Sequence, residues 1–235
     1  MSKFLDFLIN LLKWPAALFL ALSLPGLFES FNAFNFNSLK FYAFFGGAGF
    51  YFVILVLCGY NICATMQIIS HELTHILFAY LTFHSADRIR ISPDDMGGSV
   101  RINSKGNWLI LLAPYFFPLF SAIYMLMMPG LLRITNDNWL IYAIFGYLFF
   151  YYAATVLSQV HPGQTDIIRC GYLFSTIVII AANLYVIGMI FSFNEGLWPG
   201  VEKYLRSVSE LNREYFQNFA ALIRQYFQPA IVGIK

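Results

Sequence analysis

The sequence predicts an all-α polytopic membrane protein with about five transmembrane helices, and three observations carry that expectation. Hydrophobic residues make up 59% of the 235-residue chain and charged residues only 11%, where an ordinary soluble domain is about 25% charged. The apolar residues fall in blocks long enough to cross the hydrocarbon layer, which takes about 20 helical residues. Between the blocks lie short polar stretches marked by Pro, Gly and Asn, which read as loops. No repeat or low-complexity segment is evident, so residues 1–235 read as one domain. Its core spans about 41–193, and its C-terminal segment about 198–235.

Residues 4–28 read as an uncleaved first membrane helix. Lys3, Asp6, Asn10 and Lys13 alternate with apolar residues at its start, so it begins along the interface, and no small-residue cleavage site of a signal peptide stands out. Asn32 to Lys40 reads as a loop. Residues 41–83 are apolar almost throughout and too long for one straight span at 1.5 Å per residue, which predicts a kink near Gly46–Gly49 or near Asn61. From His84 to Gly106 the chain is polar. There Ile89 and Ile91, then Val100 and Ile102, alternate with polar neighbours around Pro93 and Gly97-Gly98, the period-2 pattern of a short membrane-associated β-hairpin at about 87–103. Asp94 and Asp95 read as solvated turn residues.

Residues 108–128, 139–157 and 167–193 read as three further membrane helices. From Trp198 onward, Lys203, Arg206, Arg213 and Arg224 recur at near-helical spacing among apolar residues, which predicts an amphipathic C-terminal helix on the membrane surface. The formal net charge of +2 and the lack of a Lys/Arg run exclude a nucleic-acid partner. Cys58, Cys63 and Cys170 lie in or beside apolar segments and read as buried thiols rather than a disulfide framework. The partners are then the lipid bilayer and a substrate within it, and nothing marks an oligomeric state.

Basic residues in short loops orient the chain. With the N-terminus in the cytosol, the inner side holds Lys3, Lys13, Arg88, Arg90, Arg101, Lys105 and Arg169, and the outer loops hold Lys40 and Arg133.

Within the second apolar block stands His71-Glu72-Leu73-Thr74-His75. Residues i and i+4 lie about 40° apart around a helix, so both imidazoles face one way and can share a metal ion. Glu72 lies beside them as a base for an activated water. Imidazole nitrogen suits zinc, at one ion per chain. With 4 His in the chain, chance yields an HExxH in about one such sequence in six hundred. Ionisable groups inside a membrane helix are costly and mark function.

A catalytic zinc takes a third protein ligand and keeps the fourth position open. The position six residues after His75 is Leu81, which excludes the metzincin pattern. Asp166, after the Pro162-Gly163 turn, is the best candidate. Two membrane crossings separate it from His75, which puts both on one side of the bilayer, the cytosolic side in this orientation. His161 is its rival, either as a ligand or as a donor to a substrate carbonyl or an oxyanion. His84 lies beyond the helix and is a weaker candidate.

An HExxH on a membrane helix, a short hairpin after it and an Asp at the start of a later membrane helix resemble the site-2 protease family, above all its small members without PDZ or CBS domains. The likeness covers roughly residues 50–185. The family's Asn-Pro…Asp-Gly signature appears here as His161-Pro162…Asp166-Ile167, and Thr74 stands where many members have Gly. The resemblance implies that His71, His75 and Asp166 bind zinc, that Glu72 activates water, and that a membrane protein is cut in or near its spanning segment. It also implies that the hairpin offers an edge to an unwound substrate strand. A protease-derived chaperone or adaptor without activity is the alternative. A di-iron oxygenase fails on the histidine count.

Overall fold

The computed structural model describes the chain except residues 59, 93–96, 103–105, 136–137 and 233–235. It describes no side chains for residues 58, 60–63, 88–92, 97–102, 223 and 226–232. Among the described residues, helices dominate: α1 (Ser2–Leu11), α2 (Lys13–Ser30), α3 (Leu39–Cys58), α4 (Tyr60–Leu81), α5 (Trp108–Leu112), α6 (Leu119–Ile134), α7 (Asn138–Gln159), α8 (Thr165–Cys170) and α9 (Tyr172–Val232). Four segments are long and apolar enough to cross a membrane: Lys13–Ala33, Leu39–Leu57, Asn138–Gln159 and Tyr172–Leu222. The pair of α5 and α6, bent by 75°, is a fifth if the two count as one span. Large apolar side chains cover the outside, among them Leu57, Leu126 and Leu157, as a surface solvated by lipid requires.

Several predicted helices are broken, each for a local reason. The first one divides at Leu12. In α1, Asp6 and Asn10 hydrogen-bond to the protein while Phe4, Phe7 and Leu11 face outward. Helix α3 runs without interruption through Gly46–Gly49, so no kink forms there, and the alternative place for one, near Asn61, adjoins Gly59. Gly59 and the side chains of Cys58, Asn61 and Cys63 lie outside the described residues, whereas Cys170 is a buried free thiol. The expected single helix over 108–128 is corrected to α5, a 3-10 turn at Ala113–Tyr115 and α6, bent by 75°. Pro114 and Pro118 lack the N–H that a continuous helix needs and restrict the residue before them. The helix expected from Ile167 breaks at Gly171, whose φ of +88° suits glycine. That leaves Asp166 on its own short helix, α8.

The bundle packs in parallel and antiparallel pairs. Helix α2 runs beside the first limb of α9, with Trp14 against Phe174 at one end and Phe34 against Phe191 at the other. Helix α3 runs beside α7, with Phe44 on Phe145 and Tyr51 on Tyr151. Here Gly47 abuts the Ala143 carbonyl and Gly146 the Phe44 carbonyl, so the backbones touch. Phe41, Phe44, Met128, Phe145, Ile190 and Phe193 fill the larger core. A second core, with Leu112, Tyr115, Ile167, Cys170 and Phe174, binds α5, α8 and α9 together.

Helix α9 is kinked where Gly196 and Leu197 leave helical geometry. Beyond the kink it doubles back, with Gly200 against the Ser192 carbonyl and Gly188 against the Tyr204 ring. Tyr204 and Val208 are buried in a small core with Leu27 of α2, and Val201 in the larger core, while Glu202, Lys203, Arg206 and Glu210 remain exposed. Strands β1 (Ala86–Ser92) and β2 (Gly97–Ile102) pair antiparallel beside α4, with Ile89 opposite Val100 and Ile91 opposite Gly98. The residues joining them, Asp94 and Asp95 included, lie outside the described residues.

Candidate metal centre

Helix α4 carries its polar residues in one stripe. Gln67, Ser70, His71, Thr74 and His75, at i, i+3, i+4, i+7 and i+8, are all buried, whereas Met66, Leu73, Tyr80 and Leu81 are exposed. This reverses the pattern of a soluble helix. Ser70 and Thr74 donate to the carbonyls of Gln67 and Ser70, so the stripe adds few unpaired groups to the interior.

On that stripe the His71 and His75 Nε2 atoms stand 3.1 Å apart. Helix α8, anchored by Ile167 and Cys170 in the second core, brings Asp166 Oδ2 to 3.4 Å from His75 Nε2 and 3.9 Å from His71 Nε2. These three residues form the group of potential metal ligands among the described residues. A tetrahedral zinc with bonds of about 2.0–2.1 Å separates its ligand atoms by about 3.3 Å. The His71–His75 and His75–Asp166 separations match edges of that tetrahedron, and the His71–Asp166 separation is longer.

The hydrogen bonds on the far side agree. His71 Nδ1 donates to Gln159 Oε1 at 2.5 Å, and His75 Nδ1 donates to the Ile110 carbonyl at 2.9 Å. Each neutral ring has then placed its one proton on Nδ1 and turns a bare Nε2 lone pair inward. Two lone pairs and a carboxylate oxygen facing one another need a cation between them, so the residues present fit zinc.

Glu72 is 5% exposed, and its carboxylate interacts electrostatically with His75, His71 and Asp166. The Tyr115 hydroxyl donates to Asp166 Oδ2 at 3.4 Å, and its ring meets His71 edge-on. Asn183 of α9 donates to the Tyr115 carbonyl at 2.8 Å and so steadies the bent segment that carries it.

The two other histidines stand apart from this group. His161 is exposed in the turn before α8, where its Nδ1 accepts the Gly163 N–H. His84 is buried and tied to Asp6 at 2.9 Å and to Thr82 at 3.0 Å. Asp6 also accepts from the Asn107 amide, and the Asn107 side-chain oxygen caps α5 through the Leu109 and Ile110 N–H groups. Helix α1 is thereby linked to the turn that presents the Ile110 carbonyl to His75.

Sequence reasoning missed Gln159, Tyr115, Asn183 and the Ile110 carbonyl. The rule that polar groups inside apolar helices mark function could have flagged Gln159 and Asn183. A main-chain carbonyl leaves no mark in the sequence.

The profile of the Peptidase M50B-like family matches residues 47–195, which run from α3 through the first limb of α9 and include all of His71, Glu72, His75 and Asp166. Searches of curated proteins and of solved structures found no match. The match covers more than half of the chain and takes in the whole candidate centre, and the chain therefore belongs to the Peptidase M50B-like family, the site-2 protease-like metallopeptidases.

Proposed function

We propose that this chain is a zinc-dependent endopeptidase that cuts a peptide bond in or near a membrane-spanning segment of another protein. The observation that carries this reading is the convergence of His71, His75 and Asp166 with Glu72 beside them. Those three side chains would hold the ion. Bound there, zinc would supply Lewis acidity, bringing the pKa of a water ligand to about 7 and polarising a carbonyl.

The chain's own residues do the rest. Glu72 takes a proton from the attacking water as its oxygen bonds to the carbonyl carbon. As the C–N bond breaks, Glu72 gives that proton to the leaving amine. Gln159 and the Ile110 carbonyl hold the imidazoles in the ligating tautomer. At His161, Nδ1 accepts a main-chain N–H, which puts the proton on Nε2, a donor suited to a substrate carbonyl. A purely structural site has no use for a buried carboxylate beside its ligands, which weighs against a chaperone or adaptor role.

The substrate segment must unwind before its peptide bonds are accessible, and the β1–β2 pair beside α4 is suited to receive it as an added strand. Orientation by basic residues puts the centre on the cytosolic side. The amphipathic character of the C-terminal limb suits the membrane interface.

The test uses full-length protein in detergent and a membrane-spanning model peptide interrupted by Gly or Pro. Cleavage should stop on chelation, return with zinc, and be lost in Glu72→Gln while one zinc per chain is retained. Full activity of Glu72→Gln would refute the mechanism.

A further inference from the structure

We infer that Gln159 is a positioning residue of the metal centre, selecting the His71 tautomer that can bind zinc and locking α7 to the turn of α4 that carries it. A glutamine amide can present either its oxygen or its NH2 to a neighbour, and only the surrounding hydrogen bonds decide which. Here they do. The Gln159 Nε2 donates to the main-chain carbonyl of Gln67 at 3.2 Å, which leaves Oε1 to face His71 Nδ1 at 2.5 Å. An oxygen at that place accepts only from an Nδ1–H. The ring must then be bare at Nε2, the atom that stands 3.1 Å from His75 Nε2 and 3.9 Å from Asp166 Oδ2. With the amide reversed, an NH2 group would meet Nδ1. The ring proton would move to Nε2, where it blocks ligation.

The same side chain sets the register of two helices. Gln67 lies one turn before His71, so Gln159 grips α4 at two heights, its main chain below and its imidazole above. Tyr151, two turns earlier on α7, donates to the Met66 carbonyl at 2.8 Å, beside Gln67 on α4. The grip sits seven residues before Asp166, across the turn that leads to α8, and so couples the ligand pair on α4 to the approach of the third ligand. His75 has a fixed main-chain acceptor in Ile110. His71 depends on a side chain for the same service, and that makes Gln159 the replaceable half of the design.

This inference rests on the metal-centre reading above. The experiment uses full-length protein in detergent, with zinc affinity measured by chelator competition and the visible absorption of the cobalt-substituted centre as the second readout. Gln159→Met has nearly the same length but no acceptor. It should bind zinc about 10- to 100-fold more weakly and shift the cobalt bands. Gln159→Glu keeps an oxygen at Nδ1 but loses the N–H that bonds the Gln67 carbonyl, so it should hold zinc more tightly than Gln159→Met.

Affinity of Gln159→Met within about threefold of the parent, with unchanged cobalt bands, would overturn the inference alone. So would a Gln159→Glu variant weakened as much as Gln159→Met. If Gln159→Met does not fold, the Glu variant decides: a loss under about 10-fold supports the inference and a larger one overturns it. A parent protein that binds neither zinc nor cobalt overturns the metal-centre reading and this inference together.

Discussion

The contact between α3 and α7 allows a perturbation to be worked out in atoms. A Cβ added at Gly146 would lie 1.7 Å from the Phe44 carbonyl oxygen, 2.5 Å from its carbon and 2.9 Å from its Cα. Real Cβ atoms are essentially never closer than 3.0 Å to a neighbour, so Gly146→Ala must push the two helices apart by more than 1 Å. The obstacle is backbone, and no rotamer change relieves it. Separation opens the Phe44–Phe145 contact, now at 5.6 Å between ring centres.

Overpacking of this kind costs about 1–3 kcal/mol, and an unyielding backbone contact belongs at the upper end. At about 2–4 °C per kcal/mol for a chain of this size, the melting temperature should fall by about 6–12 °C. Because α7 ends in Gln159, zinc affinity should fall as well. Thermal unfolding in detergent, with Gly130→Ala as control, measures this. Nothing lies within 4 Å of a Cβ at Gly130, and that variant should be neutral or mildly stabilised. If Gly146→Ala melts within about 1 °C of the parent, the close backbone contact does not exist in the protein.

Two other outcomes follow from the centre and its supports. Asp166→Ala should lose zinc while His161→Ala keeps one ion per chain and raises KM; metal analysis of the purified variants checks the first, and zinc lost only on His161→Ala would move the third ligand. Asp6→Ala removes the acceptor of the His84 Nε2 and of the Asn107 side-chain N–H, at about 1–3 kcal/mol for an unsatisfied buried group. Its melting temperature should therefore fall by several degrees, and an unchanged one would show that α1 is not docked as described.

The membrane class of the chain and the identity of its chemical motif were legible in the sequence because both are local properties. Hydropathy is read along about 20 residues, and the i, i+4 spacing of His71 and His75 defines a helix face whatever surrounds it. Asp166 was legible as a candidate for a topological reason, since two crossings return the chain to the side it left. Where a helix stops was less legible. Pro114, Pro118 and Gly171 were visible as residues, yet proline and glycine are tolerated inside membrane helices. Whether each bends or breaks its helix depends on the neighbours that take up the freed backbone groups.

The tertiary structure alone decided how the centre closes. It set Asp166 3.4 Å from His75 and left His161 in an exposed turn and His84 bonded to Asp6. It also supplied the Nδ1 acceptors, one of them the main-chain carbonyl of Ile110, which every residue type possesses and no sequence pattern can mark. The physical reason is range. Periodicity and spacing act over a few turns of one helix, whereas the candidate ligand set is completed from a helix about ninety residues further along the chain. Its geometry is fixed by packing, at the glycine contact between α3 and α7 and in the core that holds α5, α8 and α9 together.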